Sequence, residues 1–176
     1  MTPFAPLKDP QSVLPILSAI SLFGGATDKQ LQELLGRLEY AALKKGDCVY
    51  HKGDEPAHIC ILKRGKVELQ ISDEQTVVDK KELGVGECFG EVSLIAMHRH
   101  TTTALVIEDC ELVALSRHAL IQVQQQDIAL FALLMMNLAR ELARRIMLAD
   151  NLCLLYSHRL QATPPSIKEP QRGSGL

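Results

Sequence analysis

The sequence predicts a mainly β fold, a jelly-roll barrel with helices before it and a long helix after it. Between Glu39 and Ser116, short apolar runs are broken at regular intervals by Gly and Asp, which indicates many short strands. Such a series with Gly-Asp turns favours a sandwich or jelly-roll barrel. No helical segment inside this region is long enough to connect the strands of a parallel sheet. The longest periodic element begins only at Ile128.

The segment before the barrel predicts an irregular lead and two short helices. Residues 1–12 carry three prolines in the first ten positions and favour irregular structure, and Val13–Leu22 is a helix candidate. Thr27 begins a second helix, because a hydroxyl followed three residues later by Gln30 is a capping box. The apolar face of this helix comprises Leu31, Leu34, Leu35 and Leu38. We therefore assign residues 1–26 to an N-terminal lead and helix.

The barrel itself is predicted from residues 27–127. Its candidate strands share short length and β-branched or apolar content, and they are 39–43, 48–50, 58–63, 66–71, 76–83, 102–107 and 110–115. A further helix is expected to begin at Arg117 and to run to Val123.

The C-terminal part predicts one long helix, assigned to residues 128–160, with its clearest pattern from Ile128 to about Tyr156. Apolar residues at alternating spacings of three and four are typical of a coiled-coil seam, here Met135, Leu138, Leu142, Ile146 or Arg145, Ala149, Leu152 and Tyr156. Further apolar residues are expected on the flank that faces the barrel, namely Ile128, Leu130, Phe131 and Leu134. Residues 161–176 contain three prolines and predict a disordered tail.

Length and charge exclude several classes of protein. A chain of 176 residues favours one globular domain, and its formal net charge of −2 predicts no broad basic surface for nucleic acid or membrane. No apolar run approaches the roughly 18 residues of a membrane span. The N-terminus lacks the basic and apolar pattern of a secretion signal, so we expect a cytoplasmic protein.

The cysteines and histidines predict no metal site. The five cysteines are scattered and include no Cys-x-x-Cys pair, which argues against zinc or an iron–sulfur cluster. Cys60, Cys88 and Cys110 lie in apolar runs and are interpreted as small core residues. The spacing of His51, His58, His98 and His100 matches no metal-binding motif.

One short stretch combines the groups that a sugar-phosphate needs. It runs from Gly84 to Ile95, where glycines at 84, 86 and 90 let the backbone turn sharply and approach a ligand closely. The turn that starts at Val92 offers backbone N–H groups to an anion, and Glu91 beside it can accept hydrogen bonds from hydroxyls. A basic residue and hydroxyl side chains follow at 99–103. This combination predicts a sugar-phosphate site.

The same stretch resembles the phosphate-binding cassette of the cyclic-nucleotide-binding domain family, and Phe89, Gly90 and Glu91 match its Phe-Gly-Glu motif directly. The resemblance covers about residues 15 to 155. An entry helix and turn is matched by Leu22–Phe23, and paired Gly-Asp turns are matched by Lys45–Asp47 and His51–Asp54. A Gly-x-Val hairpin is matched by Ile59–Val67, and the last barrel strands are matched by Glu108–Leu112 and Leu115–Arg117. Their order and spacing resemble the sensor domain of Crp/Fnr regulators.

The resemblance implies a set of ligand contacts. In the family, the glutamate binds the ribose 2′-hydroxyl and an arginine pairs with the cyclic phosphate. Glu91 stands at the first position, whereas His100 occupies the arginine position, with Arg99 as its neighbour. A histidine is only partly charged near neutral pH and lacks the two-pronged guanidinium geometry, so either His100 or Arg99 supplies the cation. The predicted ligand-binding residues are Phe89, Gly90, Glu91, Val92, Ser93, Arg99, His100, Thr101 and Thr102.

The resemblance also implies a function. We expect a regulatory module without enzymatic activity or cofactor that binds a cyclic nucleotide, cyclic AMP being favoured over cyclic GMP. Its expected partners are a second copy of the chain, through residues 128–156, and an unidentified protein effector, with no membrane. Residues 161–176 leave no room for the DNA-reading domain of the Crp/Fnr group, so no direct DNA binding is expected.

Two alternatives stay open because of His100 and of the short segment after the long helix. The first is a domain of the same fold that has lost the nucleotide and serves as a dimerisation or protein-interaction module. The second is the sensor half of a truncated Crp/Fnr-type transcription regulator.

Overall fold

The computed structural model describes residues 4–73 and 76–162, and side chains as far as residue 157. The chain divides into two compact units, with the boundary between Ala139 and Arg140. The predicted tail lies, from residue 163 onward, outside the described residues.

The first unit is built on an antiparallel sheet, which confirms the mainly β prediction. Its seven strands are β1 (Ala5–Pro6), β2 (Leu38–Leu43), β3 (Cys48–Tyr50), β4 (His58–Ser72), β5 (Val77–Leu83), β6 (Cys88–Phe89) and β7 (Thr103–Ser116). The main path through the sheet has the order β1-β2-β7-β4-β5, while β3 also pairs with β7 and β6 with β4. Strands β4 and β7 are therefore the centre of the sheet, and β4 also pairs with β6, the strand that ends at Phe89 of the cassette.

The structure corrects four of the predicted strands. Segments 58–63 and 66–71 form the single strand β4, and segments 102–107 and 110–115 form the single strand β7, so no hairpin interrupts Ile59–Val67. Gly65 lets β4 continue, because its φ of +83° produces a bulge and a Cβ there would lie 2.3 Å from the Asp109 carbonyl oxygen. The short strands β1 and β6 were not predicted.

The residues that the structure describes also form five α-helices: α1 (Leu14–Ala19), α2 (Asp28–Leu35), α3 (Glu91–Ala96), α4 (Arg117–Gln126) and α5 (Ile128–Ala162). The capping box is confirmed, since the Thr27 hydroxyl accepts from the Gln30 N–H and the Thr27 N–H donates to the Gln30 side chain. The helix predicted over Val13–Leu22 is shorter, because Ser21–Phe23 turns as a 3₁₀ segment. Leu38 belongs to β2 and not to the second helix.

The core of the first unit is divided by the two faces of β4. Ile59 and Ile61 pack against the helices, whereas Cys60 and Leu62 point into the barrel, as the alternation of side chains along a strand requires. Phe89 of β6 packs inside the barrel with the second pair. Phe89, the first residue of the Phe-Gly-Glu motif, therefore lies inside the barrel.

The beginning of α5 belongs to the first unit and packs on its core. Leu130 and Leu134 are buried as predicted, but Ile128 is 65% exposed. Leu138, which was predicted in the dimer seam, is buried within this unit's own core. Asn137 anchors this part of the helix, because its side-chain amide donates to the Leu22 carbonyl at 3.1 Å and to the Gly24 carbonyl at 2.8 Å.

The second unit consists, in the described residues, of the remainder of α5. Arg144 pairs with Glu141 three residues earlier, with a nitrogen–oxygen distance of 2.8 Å. Its large apolar side chains are exposed, and they are Ile146, Met147, Leu148, Leu152, Leu154, Leu155 and Tyr156.

Candidate functional site

The cassette turns at Gly90 for a steric reason. Phe89 ends β6 inside the barrel and is almost fully buried, and Glu91 begins α3, so the chain reverses within one residue. Gly90 adopts a φ of +84°, and a Cβ at this position would lie 2.8 Å from the His58 carbonyl oxygen. A side chain at residue 90 would also meet the rings of His100 and Tyr50, each 3.8 Å away. Only glycine fits this junction.

Glu91 is the buried acid of this junction, with 1% of its surface exposed. Burial is the main cause that raises the pKa of the Tyr50 hydroxyl and of the Cys60 thiol. Glu91 lies close enough to both that its negative charge raises their pKa further. Ser93 is also buried, whereas the Val92 side chain is about half exposed. Of the predicted cassette residues, Glu91 therefore brings the strongest hydrogen-bond acceptor to the site.

His100 lies against Tyr50 and not in solvent. The two rings stack with centroids 3.6 Å apart and an angle of 6° between their planes, and His100 is 5% exposed. Its N–H donates to the Asp54 carbonyl at 2.9 Å and its carbonyl accepts from the Gly53 N–H at 2.7 Å. Burial lowers the pKa of His100 below its ordinary value of 6.5, although the Asp54 charge opposes the shift. The imidazole is therefore mainly neutral at pH 7.

Arg99 is paired with the loop over residues 53–55. One guanidinium nitrogen donates to the Gly53 carbonyl at 2.7 Å, and another lies 2.6 Å from a carboxylate oxygen of Glu55. The Arg99 side chain is 62% exposed. In this arrangement the guanidinium is engaged with the loop over residues 53–55, and Glu55 of that loop also lines the cavity described below.

The three threonines after His100 have different surroundings. Thr102 forms a side-chain hydrogen bond with the Tyr50 hydroxyl, so it supports the ring on which His100 stacks. The Thr103 hydroxyl accepts from the Lys52 N–H at 3.1 Å, and Thr101 is exposed. Thr102 is thus the threonine that the structure places closest to the His100 and Tyr50 stack.

A cavity of about 250 Å³ opens beside this stack. His100 is the one predicted ligand-binding residue that lines it. Sequence reasoning missed its other walls, which are Phe4, Val49, Tyr50, His51, Asp54, Glu55, Ala57, His58 and Cys60. The signal for several of them was present, because the Gly53-Asp54 turn precedes β4 and carries adjacent polar side chains. Phe4 had no such signal, since it comes from the other end of the domain.

The predicted residues therefore separate into two groups. Phe89, Gly90, Glu91, His100 and Thr102 meet around the end of β6 and the Tyr50 ring. Arg99 is engaged by the loop over residues 53–55 and Thr101 is exposed, while Gly84 and Gly86 belong to the turn that precedes β6. That turn is closed by the Glu87 side chain, which accepts from the Gly84 N–H at 2.7 Å, and by Gly86, which donates to the Leu62 carbonyl at 2.8 Å. The assignment of any of these residues to a ligand remains a prediction.

The part of the chain that the structure describes contains no cluster of three metal-ligating side chains. None of the helices in the same part combines the length and apolar character needed to cross a bilayer.

Comparison with known proteins places this geometry in a family. Residues 41–127 match the family model described as "Cyclic nucleotide-binding domain". The cyclic AMP receptor protein of Thermus thermophilus is 31% identical over 133 residues, which cover 73% of this chain and 58% of that protein. The cAMP-dependent protein kinase regulatory subunit of Eremothecium gossypii is 31% identical over 84 residues, which cover 48% of this chain and 18% of that protein.

Solved structures of related proteins have the same fold. The Thermus thermophilus catabolite activator protein superposes with a TM-score of 0.67 at 28% identity, covering 78% of this chain and 63% of that chain. A cyclic nucleotide-binding domain from Methylobacillus flagellatus has a TM-score of 0.71 at 19% identity, covering 90% of this chain and 86% of that chain, and supports the fold alone.

The chain carries a regulatory domain of the cyclic nucleotide-binding family, with the jelly-roll fold that its sequence predicted. It resembles in particular the Crp-type sensors and the regulatory subunits of cyclic-nucleotide-dependent kinases. It spans 58% of the length of the Thermus relative and less than a fifth of the other curated relatives.

Proposed function

We propose that this domain is a non-enzymatic sensor that binds a cyclic nucleotide at the junction of β6 and α3. The observation that carries the proposal is the position of Glu91, a buried carboxylate at the first residue of α3 and next to a glycine with positive φ. A buried charge is costly unless hydrogen-bond donors surround it. A ribose hydroxyl is such a donor, and a Cβ at the neighbouring Gly90 would lie 3.8 Å from the His100 ring, which lines the cavity.

Three groups of this chain would contact different parts of the ligand. Glu91 would accept from the ribose 2′-hydroxyl, and the backbone N–H groups from Gly90 to Val92 would donate to the cyclic phosphate. His100 would face the phosphate from the opposite side, because a side chain at Gly90 would meet its ring. Arg99 is a second source of positive charge only if its pair with Glu55 opens.

We favour cyclic AMP over cyclic GMP as the ligand. The Thermus relative is described as a cyclic AMP receptor and matches over 133 residues, whereas the cGMP-dependent protein kinase of Eimeria tenella matches over 102. The longer match supports the adenine nucleotide, and a competition titration with both nucleotides measures the preference.

The signal would leave through α5, in a homodimer formed through residues 128–156 and acting on a protein effector. This part of the proposal is supported by the exposed apolar residues of the second unit, because Ile146, Leu152 and Tyr156 are each more than half exposed. The spacing of four between Leu152 and Tyr156 is one of the two spacings that a coiled-coil seam requires.

Calorimetry with cyclic AMP tests the ligand assignment. Glu91→Gln keeps the side-chain volume and should weaken binding by about 1.5 to 3 kcal/mol, the range for a hydrogen bond to a charged group. Glu108→Gln, at an exposed acid that pairs with Lys66, is the matched control and should bind as the wild type does. The 2′-deoxy nucleotide should lose a similar amount with the wild type and little more with Glu91→Gln. Additive losses would exclude the contact.

A second candidate function is supported by the surroundings of the two residues that could supply positive charge, His100 and Arg99. His100 is buried with a lowered pKa, and Arg99 is engaged by Glu55, so no strong positive charge faces the cavity from these two positions. A domain of this kind could keep the fold and serve only in dimerisation or protein interaction. It would show no rise in unfolding temperature with any cyclic mono- or dinucleotide, whereas a ligand that binds the native state must raise it.

A further inference from the structure

The N-terminal residues 4–7, here called the N-terminal strap, lie along the edge of the sheet next to β2, and Phe4 reaches the cavity of the candidate site. Ala5 and Pro6 form β1 and pair with Tyr40 and Glu39 of β2. The Leu7 N–H continues this pairing with a bond of 3.3 Å to the Leu38 carbonyl. The strap is therefore an added edge strand of only two residues.

Phe4, at the end of the strap, forms part of the wall of the 250 Å³ cavity that His100 also lines. Its ring lies against the His58 imidazole, with centroids 4.4 Å apart. The imidazole is held in place from behind, because its Nε2 atom lies 3.0 Å from a carboxylate oxygen of Glu39. Phe4 also packs, partly buried, against the apolar interior of the barrel. The strap thus ends in the candidate site.

The size of the cavity indicates that it is partly filled. Sites that enclose a small-molecule ligand have volumes of about 300–1,000 Å³, and the cavity measures about 250 Å³ with Phe4 as one of its walls. A nucleotide therefore needs more room than the closed arrangement provides. Displacement of the phenyl ring is the local change that supplies it. The other walls belong to the barrel strands, to the turn that precedes β4 or, for His100, to a loop held by backbone hydrogen bonds to Gly53 and Asp54.

The strap is also the wall that can move at low cost. Its pairing with the sheet is two residues long, and Pro6 has no N–H to donate. Two-residue edge pairings contribute little without the packing of their side chains. The partial burial of Phe4 is then the main interaction that keeps this end of the strap closed.

We propose that the N-terminal strap is a displaceable cover of the candidate nucleotide site, in which the Phe4 ring and a bound cyclic nucleotide exclude each other. The ligand part of this inference, that a bound nucleotide displaces the Phe4 ring, rests on the proposed function. The covering part, that the Phe4 ring closes the cavity, does not rest on it, because it concerns only the packing of Phe4 against the cavity.

The covering part is tested without any ligand through Cys60, which lines the cavity and is 2% exposed. The rate at which a small neutral thiol reagent modifies Cys60 is measured by peptide mass spectrometry in the full chain. Phe4→Ala should increase this rate about tenfold, the factor that burial of an aromatic ring can contribute. Lys8→Ala, at the residue that follows the strap and outside the cavity, is the control and should leave the rate unchanged. Equal rates in all three proteins, with unchanged unfolding temperatures, would overturn the proposal.

The ligand part is tested by calorimetry with cyclic AMP on the same proteins. Phe4→Ala should bind about tenfold more tightly than the wild type, because no ring has to be displaced first. Equal or weaker binding by Phe4→Ala would overturn the exclusion and make Phe4 a ligand contact instead. If none of the proteins binds cyclic AMP, the proposed function and the exclusion both fail, and the Cys60 rates alone decide whether the strap covers the cavity.

A fluorescence measurement follows the strap directly. The chain contains no tryptophan, so Phe4→Trp introduces a single reporter. On addition of cyclic AMP, its emission should shift to longer wavelength and its quenching by acrylamide should increase. Emission that becomes more protected as the nucleotide saturates the protein would show that residue 4 closes over the ligand, contrary to the proposal.

Discussion

If the buried His100 contacts the phosphate, as proposed above, the affinity of this domain for a cyclic nucleotide should depend on pH. In the ligand-free domain, burial lowers the pKa of His100 below 6.5. A cyclic phosphate carries a negative charge and would favour the imidazolium form, so binding raises the pKa of His100 and takes up a proton. Affinity should therefore be highest below the free-state pKa. It should fall as pH rises above that value, and level off once pH exceeds the bound-state pKa.

The size of this effect follows from the surroundings of the ring. An opposite charge within about 4–6 Å raises the pKa of a histidine by about 1 to 3 units, and each unit corresponds to a tenfold change in affinity. The ring is 5% exposed, so solvent screens the interaction only weakly. We expect the affinity for cyclic AMP to decrease by about tenfold to a thousandfold between the acidic and alkaline limits.

Calorimetric titrations between pH 5 and 8.5 measure this dependence. His51 and His58 also line the cavity, so each must be tested as a separate source of the slope. His100→Gln should bind with the affinity of the alkaline limit at every pH, whereas His51→Gln and His58→Gln should keep the wild-type slope. A flat wild-type profile, or a slope that survives in His100→Gln, would refute the reasoning.

Two further predictions concern the fold and the second unit. Gly65→Ala should destabilise the domain by about 3 kcal/mol in urea denaturation, because the new Cβ would meet the Asp109 carbonyl at 2.3 Å in a bulge of positive φ. Gly53→Ala, with a similar φ of +92° and open space, should cost only about 1 kcal/mol, and equal losses would contradict the steric account. Leu152→Glu, at a side chain 54% exposed within the chain, should convert the expected dimer into a monomer in sedimentation without changing the unfolding of the barrel. A wild type that is monomeric at tens of micromolar would rule out the seam.

Local sequence signals predicted most elements of the fold. The Thr27 capping box, the strands β2 and β3 and the beginning of the long helix at Ile128 were correct, because caps, turns and apolar periodicity act over a few residues. The glycine at position 65 was interpreted as a turn, and the structure shows a bulge instead. A positive φ serves both purposes, and only the pairing of β4 with β7 distinguishes them.

The candidate site was predictable in part, for a similar reason. The Phe-Gly-Glu motif places Gly90 and Glu91 by local geometry alone. The surroundings of His100 depend on Tyr50, which is fifty positions earlier, and the cavity wall at Phe4 is still more distant in sequence. Such contacts are set by strand pairing across the sheet, which periodicity does not specify. Leu138 was misplaced because an apolar helical stripe fits the chain's own core as well as a dimer seam.

The replacement of His100 by arginine is a fair test of both candidate functions, because the structure can accept it. The backbone of residue 100 is held by two hydrogen bonds, to Asp54 and from Gly53, that do not depend on the side chain. A planar guanidinium can stack on the Tyr50 ring as the imidazole does, and its greater length would carry charge into the cavity. If the domain is a sensor, His100→Arg should bind cyclic AMP more tightly and lose its pH dependence, since guanidinium stays charged throughout this range. If the ligand-free function is correct, the wild type gives no heat at any pH, and binding that first appears in His100→Arg would identify the missing cation as its cause.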